Sequence, residues 1–232
     1  MKILAVGAHP DDIEFGCAPL LLLERGGAEP GEVKLLVLSR GEAGTAGTPE
    51  ERSAEAEAAA KLIGAGLEFM DFHGDCHLEA TPANALRIAA ELRRFQPDLV
   101  LAPNPAPNQH PDHSAAGALV RDACRLARYG GLVDLASHPP HKIGQLYFYD
   151  ITQHGHRPHD IVVDVTAVVA AWQAVMHCHA TQTNNKNYVE LQLAAARRLG
   201  LSIGVDYACG VYVNDPVRVE RLSALRLSSR CF

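Results

Sequence analysis

The sequence predicts an α/β fold in which a doubly wound, mainly parallel sheet carries helices on both faces, with a C-terminal extension of a hairpin and a helix. Three observations predict it. Short, unbroken apolar runs recur along the chain and fit strands buried on both faces. Between them lie segments with helical periodicity and capping residues at their starts. Polar loops rich in His, Asp and Pro follow the runs, where an open α/β sheet places its ligands.

Ile3-Leu4-Ala5-Val6 is the first run, an apolar helix follows over 18–25, and Val33 to Leu38 is the second run, so the chain starts as a Rossmann-like βαβ unit. Thr48-Pro49 offers a cap and a first-turn proline for a helix over 50–63. Residues 67–72 alternate like a strand, 84–95 form an amphipathic helix stopped by Gln96-Pro97, and 98–102 form another strand. A Pro/Asn-rich loop from Asn104 to Pro111 leads to a helix over about 114–127, with Asp112 or Ser114 near its cap. Residues 146–150 and 161–165 are predicted to pair as strands across a polar loop holding His154, His156 and His159, followed by a helix through Trp172 to about Thr181. No linker or repeat divides the chain, and a single domain is expected over 1–232.

With 47% hydrophobic residues the 232-residue chain has the material for a sizeable core. Its formal charge of −6 provides no basic face for a phosphate backbone, so no nucleic-acid partner is expected. No stretch approaches the roughly 20 apolar residues that cross a bilayer, so no membrane partner is expected either. The first apolar run ends in His9-Pro10-Asp11-Asp12 rather than at a cleavage-type boundary, which suits a buried strand in a cytoplasmic protein. The six cysteines are scattered without a CxxC pair and are expected to be reduced thiols. The twelve histidines fall in clusters, which points to metal chemistry.

Two of those clusters follow strands. Ala8-His9-Pro10-Asp11-Asp12 places an imidazole and two carboxylates on one turn, and His110-Pro111-Asp112-His113 brings further imidazoles from another loop. If His9 and Asp12 bind one ion, Asp11 is left to act as a base, and the second cluster supplies the third ligand. Two His and one carboxylate with an open fourth position is the donor set of a hydrolytic zinc site. An Asp-Asp pair after a strand is also a common helix cap, and HPDH a common polar turn; it is their joint occurrence after strands of one sheet that favours a site. The first turn lacks GxGxxG, and the chain has neither a Walker motif nor a GxSxG elbow, so dinucleotide, phosphoryl-transfer and serine-hydrolase chemistry have no local support.

At these residues the sequence resembles the PIG-L/LmbE-like zinc-dependent N-deacetylases, whose hallmarks are an A-H-P-D-D turn and a later H-P-D-H element. The likeness extends over nearly the whole chain, through Gly41-Glu42-Ala43-Gly44 and Arg52 to Ile203-Gly204-Val205-Asp206-Tyr207-Ala208, and the last stretch is most similar to the bacillithiol-biosynthesis branch. The resemblance implies one Zn²⁺ per chain held by His9, Asp12 and His113, with Asp11 as general base and His110 as acid or oxyanion partner. It also implies a small N-acetylated amino sugar as substrate, specifically N-acetylglucosaminyl-malate, a substrate contact at Arg52, and a homo-oligomer such as a hexamer. Asp112 is the expected orienting partner of His110. His179 and Gln182 fit the looser family pattern, with His179 expected behind the site, although the 176–183 segment differs from that branch. Fe²⁺ in place of zinc, a chitin-type oligosaccharide as substrate, and a non-catalytic metal or sugar-binding module are the alternatives.

The other histidines have plainer expectations. His73 and His77 bracket Gly74 and Asp75 and suggest a turn, near which Asp71 and Asp75 could meet substrate. His154, His156 and His159 suit a solvated loop, and His138 and His141 flank Pro139-Pro140 without a site signature.

Overall fold

A computed structural model describes residues 1–107, 110–152, 157–184, 186–224 and 228. Seven strands form one sheet: β1 (Lys2–Gly7), β2 (Glu32–Val37), β3 (Gly66–Phe69), β4 (Leu99–Pro103), β5 (Gln145–Tyr149), β6 (Ile161–Asp164) and β7 (Ala208–Val213). Their order is β3-β2-β1-β4-β5-β7-β6. The first five in that order are parallel, with Ile3 beside Val33 on one side and Leu99 on the other. The chain leaves β1 toward β2 and later returns on its other side as β4, which makes the β1/β4 boundary the switch point where ligands bind.

Alternate residues of the central strands face opposite layers, as strand geometry requires. Ile3, Ala5, Val33, Leu35 and Leu101 pack against α1 (Asp12–Gly16), α2 (Ala18–Gly26), α3 (Pro49–Ile63), α6 (Val169–His177) and α8 (Tyr188–Ile203). Leu4, Val6, Leu36, Val100 and Ala102 pack against α4 (Pro82–Phe95) and α5 (Pro111–Ala127). The doubly wound, mainly parallel α/β architecture is therefore as the sequence predicts.

Local chemistry sets the helix ends. Thr48 and Glu51 form a capping box at α3, Pro49 occupies its first position, and Gly64 closes it in the left-handed conformation. Helix α4 starts at Pro82 rather than near Asn84, because the Thr81 side chain accepts from the Asn84 amide. Helix α5 starts at Pro111 rather than Ser114, because the cap is His110, whose Nδ1 accepts from the Asp112 amide at 3.3 Å. Behind α5, the fully buried Arg93 of α4 donates to four carbonyls: Ala127 (2.9 Å), Tyr129 (2.6 Å), Leu135 (2.5 Å) and His138 (3.2 Å). Arg93 thus supplies donors to the end of α5 and the loop beyond it.

The predicted hairpin of β5 and β6 does not form. Strand β7 lies between them, antiparallel to both, with Phe148 opposite Tyr212 and Val163 opposite Cys209. The helix expected to run through Trp172 ends at His177, and a separate turn, α7 (Ala180–Thr183), follows His179. His159 is not in a solvated loop. Its ring stacks on Tyr212 at 4.7 Å and its Nε2 lies 3.4 Å from Asp150. It occupies the space where a side chain at Gly210 would project, which accounts for a glycine inside β7. His154 and His156 lie outside the described residues. Among the described residues, no helix is long and apolar enough to cross a membrane.

Candidate active site

The turn after β1 is built around Asp12. One of its oxygens accepts from the amides of Ala8 (2.8 Å) and His9 (2.9 Å), and the other lies 3.0 Å from Nε2 of His113 at the start of α5. Nδ1 of His9 is 3.5 Å from the same carboxylate. Burial works against its charge, but His113, His9 and their hydrogen bonds hold Asp12 well below the usual carboxylate range. Loops after two different strands thus meet at one buried carboxylate flanked by two imidazoles.

Asp11 is handled differently. It adopts φ 121°, a strained conformation for a residue with a side chain, and burial together with the Asp12 charge pushes its pKa up to about 6. Arg52 opposes that shift. Its guanidinium is buried and donates to the carbonyls of Pro10 (2.9 Å) and Gly41 (3.1 Å), with Asp11 at 3.5 Å. Arg52 lines the cavity; its two terminal nitrogens donate to the two loops that it joins, while its buried Nε has no partner among the described residues. Gly41, at φ +70°, has no room for a side chain because a Cβ would overlap that guanidinium. Gly41→Ala is expected to cost about 1–3 kcal/mol of stability through backbone strain alone. By displacing Arg52 and Asp11 it should also lower kcat by about 10²-fold. Thermal denaturation and steady-state kinetics on the variant would check both numbers.

Two further carboxylates enter from elsewhere. Asp75 Oδ1 is 2.9 Å and Asp112 Oδ2 3.3 Å from His9 Nε2. The sequence pairs Asp112 with His110; its side chain instead faces His9 and accepts from the Cys76 amide at 2.8 Å. The ring nitrogen between two carboxylates carries the proton, which leaves Nδ1 as the nitrogen open to an ion. Although burial opposes it, Asp12, Asp112 and Asp75 raise the His9 pKa well above its ordinary value. The protonated ring carries a second proton on Nδ1, which an ion bound there must expel while Nε2 keeps its own, so metal affinity is expected to fall as pH is lowered.

His110 stands at the rim, 4.4 Å from the His9 ring centroid and with Nε2 3.6 Å from Asp75. Burial and the neighbouring His9 and His113 lower its pKa, so at neutral pH it is an uncharged imidazole rather than the imidazolium that the sequence leaves open. Since Nδ1 accepts from the Asp112 amide, the single proton sits on Nε2, toward the cavity. His179 is fully buried beneath this layer. Its Nε2 faces Glu14 at 3.6 Å, and burial opposes while Glu14 favours its protonation. His73 and Gly74 form the expected turn, with φ 71° and 90°, and Cys76 follows at φ 66°.

Most of these side chains line a cavity of about 340 Å³, together with Phe15, Ile151 and Tyr188. The ring nitrogens of His9, His110 and His113 lie within 4.8 Å of one another. One donor atom from each of His9, Asp75, His110 and Asp112 also lies within that distance of the others, so this buried cluster of imidazoles and carboxylates has the donors for a divalent ion.

A buried cluster of metal-binding donors at the switch point of a doubly wound sheet and a match to a family of deacetylases together define a hydrolase of amide bonds. Residues 4–124 match the family model described as PIG-L: GlcNAc-PI de-N-acetylase, and the chain belongs to that family. A 4-oxalmesaconate hydratase of Pseudomonas putida is 30% identical over 95% of this chain and 92% of the relative. A diacetylchitobiose deacetylase of Thermococcus kodakarensis is 29% identical over 78% of this chain and 70% of the relative. The crystal structure of a conserved protein from Thermus thermophilus superposes with a TM-score of 0.80 at 32% identity, covering 95% of this chain and 97% of the other.

Proposed function

We propose that the protein is a zinc-dependent deacetylase that removes the acetyl group from the nitrogen of a small N-acetylated amino sugar. The observation that carries this reading is the division of labour between adjacent carboxylates: Asp12 is held ionised between His9 and His113, whereas Asp11 beside it has a pKa of about 6. His9, Asp12 and His113 would hold the ion. When bound, it activates water and polarises the amide carbonyl. Asp11 takes the proton from the attacking water, as a base with a pKa near the working pH does best. His110, uncharged with its proton on Nε2, donates a hydrogen bond to the carbonyl oxygen as charge develops there. Arg52 keeps Asp11 in its strained place. Phe15 and Tyr188 offer an apolar face to a sugar ring, and Thr45 and Gln182 offer partners for its hydroxyls.

The likeness to a hydratase supports a second reading, addition of water to the double bond of an unsaturated polycarboxylate. Beyond the ion, the cavity offers little to several carboxylates: Asp11, Asp12 and Asp75 line it, and Arg52, the sole guanidinium or ammonium among the described lining residues, gives donors to two carbonyls. A neutral N-acetyl sugar needs no such partners. For N-acetylglucosaminyl-malate, the substrate of the branch that the sequence resembles, the malate carboxylates would have to lie outside the cavity. The test offers the zinc-loaded protein N-acetylglucosaminyl-malate, N-acetylglucosamine, N,N'-diacetylchitobiose and 4-oxalmesaconate in parallel. Acetate release from at least one amino sugar is expected. Hydration of the polycarboxylate with no acetate release from any sugar would overturn the reading.

A further inference from the structure

We propose that Asp75, held in place by Glu42, is a positioning residue that fixes His9 with Nδ1 toward the ion, and that it couples metal retention to the loop lining the substrate cavity. The coupling is visible as a chain of short contacts. Glu42 Oε2 accepts from the Asp75 amide at 2.9 Å, and Asp75 Oδ1 accepts from His9 Nε2 at 2.9 Å. The other Glu42 oxygen accepts from the Arg40 amide at 3.1 Å, so the carboxylate spans two loops. Residues 43–45, immediately after Glu42, line the cavity.

The turn bearing Asp75 needs that support. Three of the residues 73–76 have φ between 66° and 90°, two of them carrying side chains, and such a backbone persists only where its surroundings fix it. Glu42 fixes the amide of residue 75 and Asp112 fixes the amide of residue 76. Asp75 is itself buried, so its carboxylate has no wide choice of direction. Asp112 also faces His9 Nε2, but at 3.3 Å against 2.9 Å; both acceptors are shared, Asp112 with the Cys76 amide and Asp75 Oδ1 with the Cys76 thiol at 3.4 Å. Asp75 is the closer acceptor. A metal-binding imidazole whose second nitrogen donates to a carboxylate has its tautomer and ring angle set before the ion arrives, and such partners matter about 10–100-fold in affinity.

Coupling works in both directions. Whatever orders residues 42–45, including an occupant of the cavity, must tighten metal binding by the same factor by which the metal tightens that occupant. The inference rests on the assignment of His9, Asp12 and His113 as ligands, but on no particular substrate.

The experiment measures metal affinity by competition with a chromophoric chelator, without assaying activity, for wild type and for His113→Ala, Asp75→Ala, Asp75→Asn, Glu42→Ala and the Asp75→Ala/Glu42→Ala double variant. Asp75→Ala should weaken zinc binding by about 10–100-fold, and Asp75→Asn, which keeps a carbonyl acceptor, should recover most of that loss. Glu42→Ala touches no ligand, yet should weaken binding by about 10-fold, and the double variant should be no weaker than Asp75→Ala, because Glu42 acts through Asp75. Wild-type affinity in Glu42→Ala, or additive losses in the double variant, would overturn the coupling. Asp75→Asn no better than Asp75→Ala would overturn the positioning role even if Asp75→Ala folds poorly. Undiminished metal retention by His113→Ala would instead sink the ligand assignment, which keeps the two failures apart.

Discussion

Asp11→Asn is expected to keep its metal and lose about 10²–10⁴ in kcat, the usual range for removing a general base. Asp12→Asn should do the opposite and fail to retain the ion, because it replaces the carboxylate that lies between His9 and His113. Elemental analysis and single-substrate kinetics on both variants separate the roles of adjacent residues. The pH profile adds an independent sign. A base works when deprotonated, so kcat/KM should fall on the acid side as Asp11 gains its proton, at a pH below the value of about 6 that holds without the ion, because the ion's charge favours the carboxylate. The residual activity of Asp11→Asn should keep only the part of that limb that comes from loss of the metal. His110 contributes no alkaline limb if it acts as a neutral donor, since its pKa already lies below the ordinary histidine value. A metal-loaded Asp11→Asn with wild-type kcat would remove Asp11 from the mechanism.

The largest stability effect is expected far from the chemistry, at Arg93. Its guanidinium is buried and donates to four carbonyls around the end of α5. Arg93→Leu keeps much of the apolar stem but leaves those carbonyls without their donor. A buried acceptor stripped of its partner costs about 1–3 kcal/mol. The desolvation cost of the cation itself is recovered, which offsets part of the sum. A net loss of about 3–4 kcal/mol should lower Tm by roughly 6–16 °C in a chain of this size. Metal content below the transition should be unchanged, because α4 contributes nothing to the site. A Tm within roughly 2 °C of wild type would show that water satisfies the carbonyls instead.

Much of this architecture was legible in the sequence because parallel strands buried on both faces leave unbroken apolar runs. The loops after β1 and β4 could be matched because both carry reactive residues close together in sequence. Asp75 could not be placed that way. It follows β3, on the far side of β2 from β1, and reaches His9 only through a turn of left-handed residues that no local pattern specifies. Arg52 was visible as a charge near the cavity, but whether its guanidinium pointed outward depended on Gly41 leaving space for it. The role of Asp112 was half legible: a carboxylate between two histidines suggests an orienting partner, but α5 starting at Pro111 turns it toward His9. Strand β7 escaped notice because Cys209-Gly210 dilutes its apolar run and because its partners are distant in sequence.

That last strand has a consequence for synthesis on the ribosome. The turn after β1 and the α5 segment, which bring in every ligand assigned to the ion, are complete by Ala127, and these parts can associate while the rest of the chain is still being made. Among the described residues, strand β6 has no neighbour in the sheet except β7, which is translated more than a helix later, after α8. Until β7 emerges, one edge of β5 and both edges of β6 are open backbone, and open edges recruit other chains. A ribosome stalled before Ala208 would therefore release a product with a nearly complete metal pocket and an unprotected sheet margin, prone to join its own copies edge to edge.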